Sequence, residues 1–66
     1  MNIRVNGRPE KLEGASDVAG LIARKGLSAD RVVVEHNRKV LPMDRWAGTH
    51  LCEDDDIEIV SFVGGG

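Results

Sequence analysis

No tyrosine occurs in this chain, and it holds a single cysteine, Cys52. One thiol excludes an internal disulfide, so the core must hold the fold unaided. A small chain without such staples fits a reducing cytoplasm. Excess positive charge is also missing. Nine Lys and Arg stand against eleven Asp and Glu, for a formal net charge of −2. The basic residues are scattered, whereas phosphate binding needs a basic stripe, which weighs against nucleic acid. No apolar run approaches the ~20 residues of a membrane span. Strand-like alternation begins within the first few residues, leaving no room for a signal peptide. Only two prolines occur, Pro9 and Pro42, and both punctuate structure. At 66 residues the chain is one domain, too short for repeats of the usual period. A chain this small buries only about 60% of the surface its unfolded form exposes, so its stability is modest.

What is present alternates. Ile3 and Val5 interleave with Asn2 and Arg4, the pattern of a half-buried strand. Asn6-Gly7 follows, the dipeptide that suits a type I′ hairpin turn, which needs positive φ at both central residues. Residues 8–13 read as a second, more polar strand with Leu12 pointing inward. Pro9 cannot donate to a ladder, which places that strand at an edge. Ser16 is the expected N-cap of a short helix, with Asp17 at the positive end of its dipole. Val18, Leu21, Ile22 and Lys25 fall on one helical face, and Gly26 is a natural residue to follow the last turn. Gly20 inside this helix costs roughly 1 kcal/mol against Ala, so packing must hold it.

Val32-Val33-Val34 is β-branched and reads as a strand. Asn37-Arg38 makes a turn, Lys39-Val40-Leu41 a short return strand that Pro42 ends, and Asp44-Arg45-Trp46 a helical turn that folds Trp46 onto the core. Leu51 is a further core contact. Residues 53–56 form an acidic loop, and residues 57–63 the last and most apolar strand. With the first and last strands central and parallel, the order hairpin, helix, strand pair, loop, strand is α+β. It gives a ubiquitin-like β-grasp, a mixed sheet of four to five strands with one main helix across it.

The chain then ends in Gly64-Gly65-Gly66. Glycine has no Cβ and little steric restriction. Two readings stand side by side: a frayed terminus, or a thin peptide ending in a carboxylate and shaped to enter a narrow active site. On the second reading the domain spans 1–63 and a flexible tail spans 64–66, with a reach of about 10 Å at ~3.3–3.6 Å per residue. Period-two alternation in the last strand turns Ile57 and Ile59 to the helix and Glu58, Val60 and Phe62 outward. Val60 and Phe62 are therefore the expected partner-binding residues beside the tail, because exposed apolar pairs mark docking sites.

Other residue types offer less. Cys52 lies between Leu51 and Glu53 at the head of an acidic run, without the cationic neighbour a nucleophile needs, and is expected as a partly buried apolar residue. His36, His50 and Cys52 lack the spacing of a zinc set, so no metal ligand is expected. The acidic run at 53–56 lacks the alternation and glycine of a calcium loop and is read as a solvated loop that can steer a basic partner.

The stretch Val33-Val34-Glu35-His36-Asn37-Arg38-Lys39-Val40-Leu41-Pro42-Met43-Asp44-Arg45-Trp46 resembles the middle segment of the ThiS family, the sulfur carrier proteins of thiamine biosynthesis. Asn2-Ile3-Arg4-Val5-Asn6-Gly7 is similar to that family's opening hairpin. Asp55-Asp56-Ile57-Glu58-Ile59-Val60 is similar to the start of its last strand, and Val63-Gly64-Gly65-Gly66 to its terminal glycine motif. The order and spacing of these pieces cover nearly the whole chain. Met43 stands where many members carry Arg, and Asp54-Asp55 replaces the usual Asp-Gly or Glu-Gly turn.

The resemblance implies a protein co-substrate rather than an enzyme. An E1-like, ATP-dependent adenylating enzyme (ThiF-like) activates the Gly66 carboxylate, and sulfur from a persulfide protein displaces AMP to leave a thiocarboxylate. Thiazole synthase (ThiG-like) then uses that sulfur for the thiazole ring. No cofactor is bound; ATP and Mg²⁺ are used by the partner enzyme. The implied carrier is a cytoplasmic monomer when free, without nucleic acid or membrane. The small subunit of molybdopterin synthase shares this chemistry, but those chains are usually longer and often carry Pro before the tail. Two further classes compete with a carrier: a ubiquitin-like protein modifier, which forms isopeptides with lysines, and a plain interaction module with incidental glycines.

Overall fold

The structure is a computed structural model that describes residues 1–14 and 16–62. The expected boundary between domain and tail at 63/64, and Gly64, Gly65 and Gly66 themselves, lie outside the described residues.

Strands β1 (Asn2–Val5) and β2 (Arg8–Lys11) form the first hairpin. Asn6 and Gly7 take φ of 53° and 79°, so the Asn-Gly turn is made as the sequence indicates. β2 stops at Lys11, two residues short of the expected end. Leu12 is nevertheless buried, and its N–H donates to the Met1 carbonyl at 2.8 Å. Helix α1 (Val18–Arg24) buries Val18, Leu21 and Ile22. Strands β3 (Val32–His36) and β4 (Lys39–Leu41) make a second hairpin, and β5 (Asp56–Ser61) completes the sheet. The sheet order is β2-β1-β5-β3-β4, with β1 and β5 parallel at its centre and the other pairs antiparallel. This is the β-grasp arrangement, with five strands. β2, which contains Pro9, is indeed an edge.

The helix is capped differently from expectation. Asp17, not Ser16, is the N-cap, and its Oδ1 accepts from the Gly20 N–H at 2.7 Å. Ser16 instead gives its carbonyl to the Leu51 N–H, and the Val18 N–H donates to the Thr49 carbonyl. The helix start is thereby tied to the 49–51 segment. Gly20 follows from the same cap: a Cβ there would lie 3.2 Å from Asp17 Oδ1, so the helix gives up propensity to bring that carboxylate close. At the other end Gly26, at φ +69°, donates to Ala23, and Leu27 donates to Ile22. This is a Schellman motif, which satisfies two carbonyls of the last turn.

One core joins helix and sheet: Ile3, Val5, Leu12, Val18, Leu21, Ile22, Val32, Val34, Trp46, Leu51, Ile57 and Ile59. Trp46 follows a 3-10 turn (Met43–Arg45) and donates its indole N–H to the Leu41 carbonyl at 2.9 Å. A buried indole needs such a partner. The Lys25 stem does not join the core, since its ammonium pairs with Glu10 at 2.7 Å on the surface.

Candidate docking face and tail

β5 leads the chain towards its glycine end, and both ends of β5 are fastened. At its start lies Asp55, which the sequence reading placed in a solvated loop. Asp55 is only 7% exposed. Its Oδ2 accepts from the Cys52 N–H and from His36 Nε2, both at 2.9 Å, and its Oδ1 accepts from the Asn37 amide at 3.1 Å. Asn37 also accepts from the Asp56 N–H at 2.9 Å. The run 53–56 is therefore not uniformly solvated: one of its four acids faces inward and fastens β5 to the β3–β4 turn. Burial raises the Asp55 pKa, but hydrogen bonds from His36, Cys52 and Asn37 and the His36 charge outweigh it. The carboxyl is held below its usual range.

Cys52, expected to be partly buried, is exposed. Its neighbour Leu51 takes the core position, and the Cys52 backbone is committed to Asp55. Among the described residues no group of three or more His, Cys, Asp or Glu is arranged to hold a metal.

At the far end β5 outruns β1. The parallel pairing stops at Val5↔Ile57. The Asn6 side chain then stands in for the missing strand, accepting from the Ile59 N–H at 2.7 Å and donating to the Ile59 carbonyl at 3.2 Å. On the other side β3 accompanies β5 as far as Val32↔Ser61, and the Phe62 N–H donates to the Arg31 carbonyl at 2.9 Å. The main chain is thus held in extended form up to Phe62.

Alternation assigns the faces. Ile57 and Ile59 are buried against the helix, while Glu58 is exposed. Val60 is 61% exposed and Phe62 48% exposed, as the sequence reading places them. The register adds what the sequence did not show. Val60 lies opposite Val33, itself 44% exposed, and Glu58 lies opposite Glu35, which in turn lies opposite Val40 on β4. A shallow groove beside the end of β4 is lined from both faces of the sheet, by the exposed Val33, Val40 and Met43 and by the buried Val32, Val34 and Trp46. Alternation within β3 could have marked Val33 and Glu35 as outward. Their partners depend on register, which is set by packing.

Comparison with known proteins decides the relationship. The family model described as "ThiS family" matches residues 3–66. The chain belongs to the ThiS family. Its ThiS relatives include the sulfur carrier protein ThiS of Bacillus subtilis, 35% identical over 65 residues, which are 97% of this chain and 98% of that one. The crystal structure of the thiamine biosynthesis protein ThiS from Geobacter metallireducens superposes with a TM-score of 0.84 at 33% identity, covering all of both chains. A thiazole synthase of Magnetococcus marinus is 38% identical over 66 residues; this ThiS-family chain spans 20% of its length. The ThiS match includes the glycine run, which composition alone left open between two readings.

Proposed function

We propose that this chain is a sulfur carrier protein of thiamine biosynthesis, with Gly66 as the group that is activated. The observation that carries the reading is the ThiS family match extending from the first strand through the terminal glycines. The fold supports it in a specific way. β5 is central in the sheet and fastened at Asp55 and at Asn6, so a segment leaving it starts from a fixed point. In this reading residues 1–63 are the handle and residues 64–66 the tail.

The chemistry needs little from the carrier itself. A terminal carboxylate has a pKa of about 3.3–3.7 and is anionic at neutral pH. It attacks the α-phosphorus of ATP in an E1-like, ThiF-like enzyme, and pyrophosphate leaves. The enzyme supplies Mg²⁺ and cationic side chains for the phosphates. The persulfide of a sulfur-transferring protein then attacks the acyl carbon and AMP leaves. A thiol cleaves the resulting S–S bond and releases the thiocarboxylate. The carrier is a co-substrate, and thiazole synthase is the acceptor. That a thiazole synthase contains a segment similar to this whole chain supports the pairing. Val60 and Phe62 are the apolar contacts next to the tail in this scheme. No described helix is long and apolar enough to cross a membrane, and the cytoplasm is the proposed site of action.

The test is ATP–pyrophosphate exchange with the adenylating enzyme of the same organism. The parent chain supports exchange, whereas a chain lacking Gly66, or extended beyond it, does not, although both keep the parent's circular dichroism. Exchange that persists with an extended terminus rules the carrier role out.

A further inference from the structure

The carrier reading leaves one feature of the outer sheet face without a use. Glu35 on β3 and Glu58 on β5 are direct cross-strand neighbours. The Phe62 N–H to Arg31 carbonyl bond and the Asn37 N–H to Asp56 carbonyl bond lie on the same ladder, an even number of residues either side. Glu35 and Glu58 therefore form a hydrogen-bonded pair, whose Cα atoms are about 5.5 Å apart, with both side chains on one face. Like charges set directly opposite each other destabilise a sheet.

No ion pair or hydrogen bond among the described residues relieves them. Among the described residues there are two ion pairs, Lys25–Glu10 and His36–Asp55, and neither involves these glutamates. Neither carboxylate accepts a hydrogen bond from a described residue. Two of the nearby cations are placed elsewhere: Lys39 is in register with His36 and so faces the helix side, and Arg38 sits in the turn. Arg4 shares the outer face, in register with Asp56 and diagonal to Glu58, but no ion pair joins it to either. Around the two carboxylates lie apolar groups: Val40 beside Glu35, and the Val33–Val60 pair next along the ladder. Val33, Val40 and Val60 are 44%, 65% and 61% exposed.

We propose, resting on the carrier reading, that the Glu35–Glu58 pair is the charge receptor of the docking face, and that the activating enzyme sets an arginine flanked by apolar side chains against it. The chemistry favours arginine over a simple point charge. A planar guanidinium can donate to two carboxylates at once, and its faces pack on aliphatic groups such as Val40 and Val60. A second copy of this chain fits poorly, because two such faces brought together would oppose four carboxylates. In this arrangement the apolar residues provide the contact and the acidic pair fixes which way the carrier sits, which is how charge at an interface is generally used. The repulsion in the free carrier is then the cost of an unfilled receptor.

The double variant E35Q/E58Q tests this, with the adenylating enzyme of the same organism as the probe. Urea unfolding and the KM for the carrier in ATP–pyrophosphate exchange are measured at several NaCl concentrations. The variant is expected to unfold at the parent's midpoint or higher, since repulsion is removed. Its KM rises about tenfold or more at low salt with kcat unchanged, and the parent's loss of affinity with added salt disappears. An unchanged KM with the parent's salt dependence overturns the proposal while leaving the carrier reading intact. So does a variant whose stability falls in step with its affinity, because the glutamates would then be structural. A parent chain that supports no exchange at all defeats the carrier reading and this inference with it.

Discussion

Replacing Asp55 by alanine puts the anchor of β5 under direct test. Asp55 is 7% exposed and its two oxygens accept from Cys52, His36 and Asn37. Alanine leaves all three donors without their acceptor. Hydrogen bonds to a charged group are each worth about 1.5–3 kcal/mol net, and water can reach part of this site, so a loss of about 2–4 kcal/mol is expected. In a domain this small, 1 kcal/mol moves Tm by about 4–8 °C, so the melting point should drop by roughly 10–25 °C. Asp55→Asn keeps an acceptor but loses the charge and should fall between parent and alanine variant.

The pH dependence has a fixed sign. The folded carboxyl is held below its ordinary value of 3.8, so its contribution is fully present above that pH. It is lost as pH falls through the lower folded value. Urea midpoints of parent and Asp55→Ala, measured from neutral pH into acid, should therefore differ most at neutral pH and converge in acid. A variant that unfolds at the parent's midpoint at neutral pH refutes the anchor, and a gap that widens in acid refutes the assigned pKa direction.

Three further outcomes are expected. Phe62→Ser should keep near-parent stability, because the ring is about half exposed, and should weaken binding to the adenylating enzyme by about 1–2 kcal/mol, read by titration calorimetry; a large loss of stability would place the ring in the core. Gly65→Val should leave Tm unchanged yet block ATP–pyrophosphate exchange, since a β-branched side chain thickens and stiffens the tail; adenylation at the parent's rate would mean a wider channel. Asp17→Ala removes the acceptor of the Gly20 N–H and should cost about 1 kcal/mol in urea unfolding, whereas Ser16→Ala should cost much less, the reverse of what the sequence alone would rank.

Much of the fold was legible because its signals are local. Ile3 and Val5, or Ile57 and Ile59, alternate within one strand, and Asn6-Gly7 carries its turn in its own φ preferences, whereas at Asn37-Arg38 only the Asn does and Arg38 is held at φ 72° against its preference. The parallel centre followed from which strands were most apolar. The misreadings share another cause. Ser16 and Asp17 are both good caps, and the choice between them was made by Thr49 and Leu51, residues more than thirty positions away. Asp55 looked like its acidic neighbours because nothing local reveals the donors that His36 and Asn37 bring from another hairpin. The outward positions of Val60 and Phe62 were readable from period two alone. The Glu35–Glu58 pair was not, since it exists only through the register of β3 on β5.

The central claim is that the glycine end carries sulfur, and intact-mass spectrometry tests it most directly. The chain is incubated with its adenylating enzyme, Mg²⁺–ATP, a persulfide donor and a reducing thiol, then weighed whole and as its C-terminal peptide. The account expects a mass gain equal to one oxygen exchanged for sulfur, located on Gly66 and absent without ATP. A chain that keeps its bare mass under these conditions, or that appears joined through Gly66 to a lysine of another protein, contradicts it.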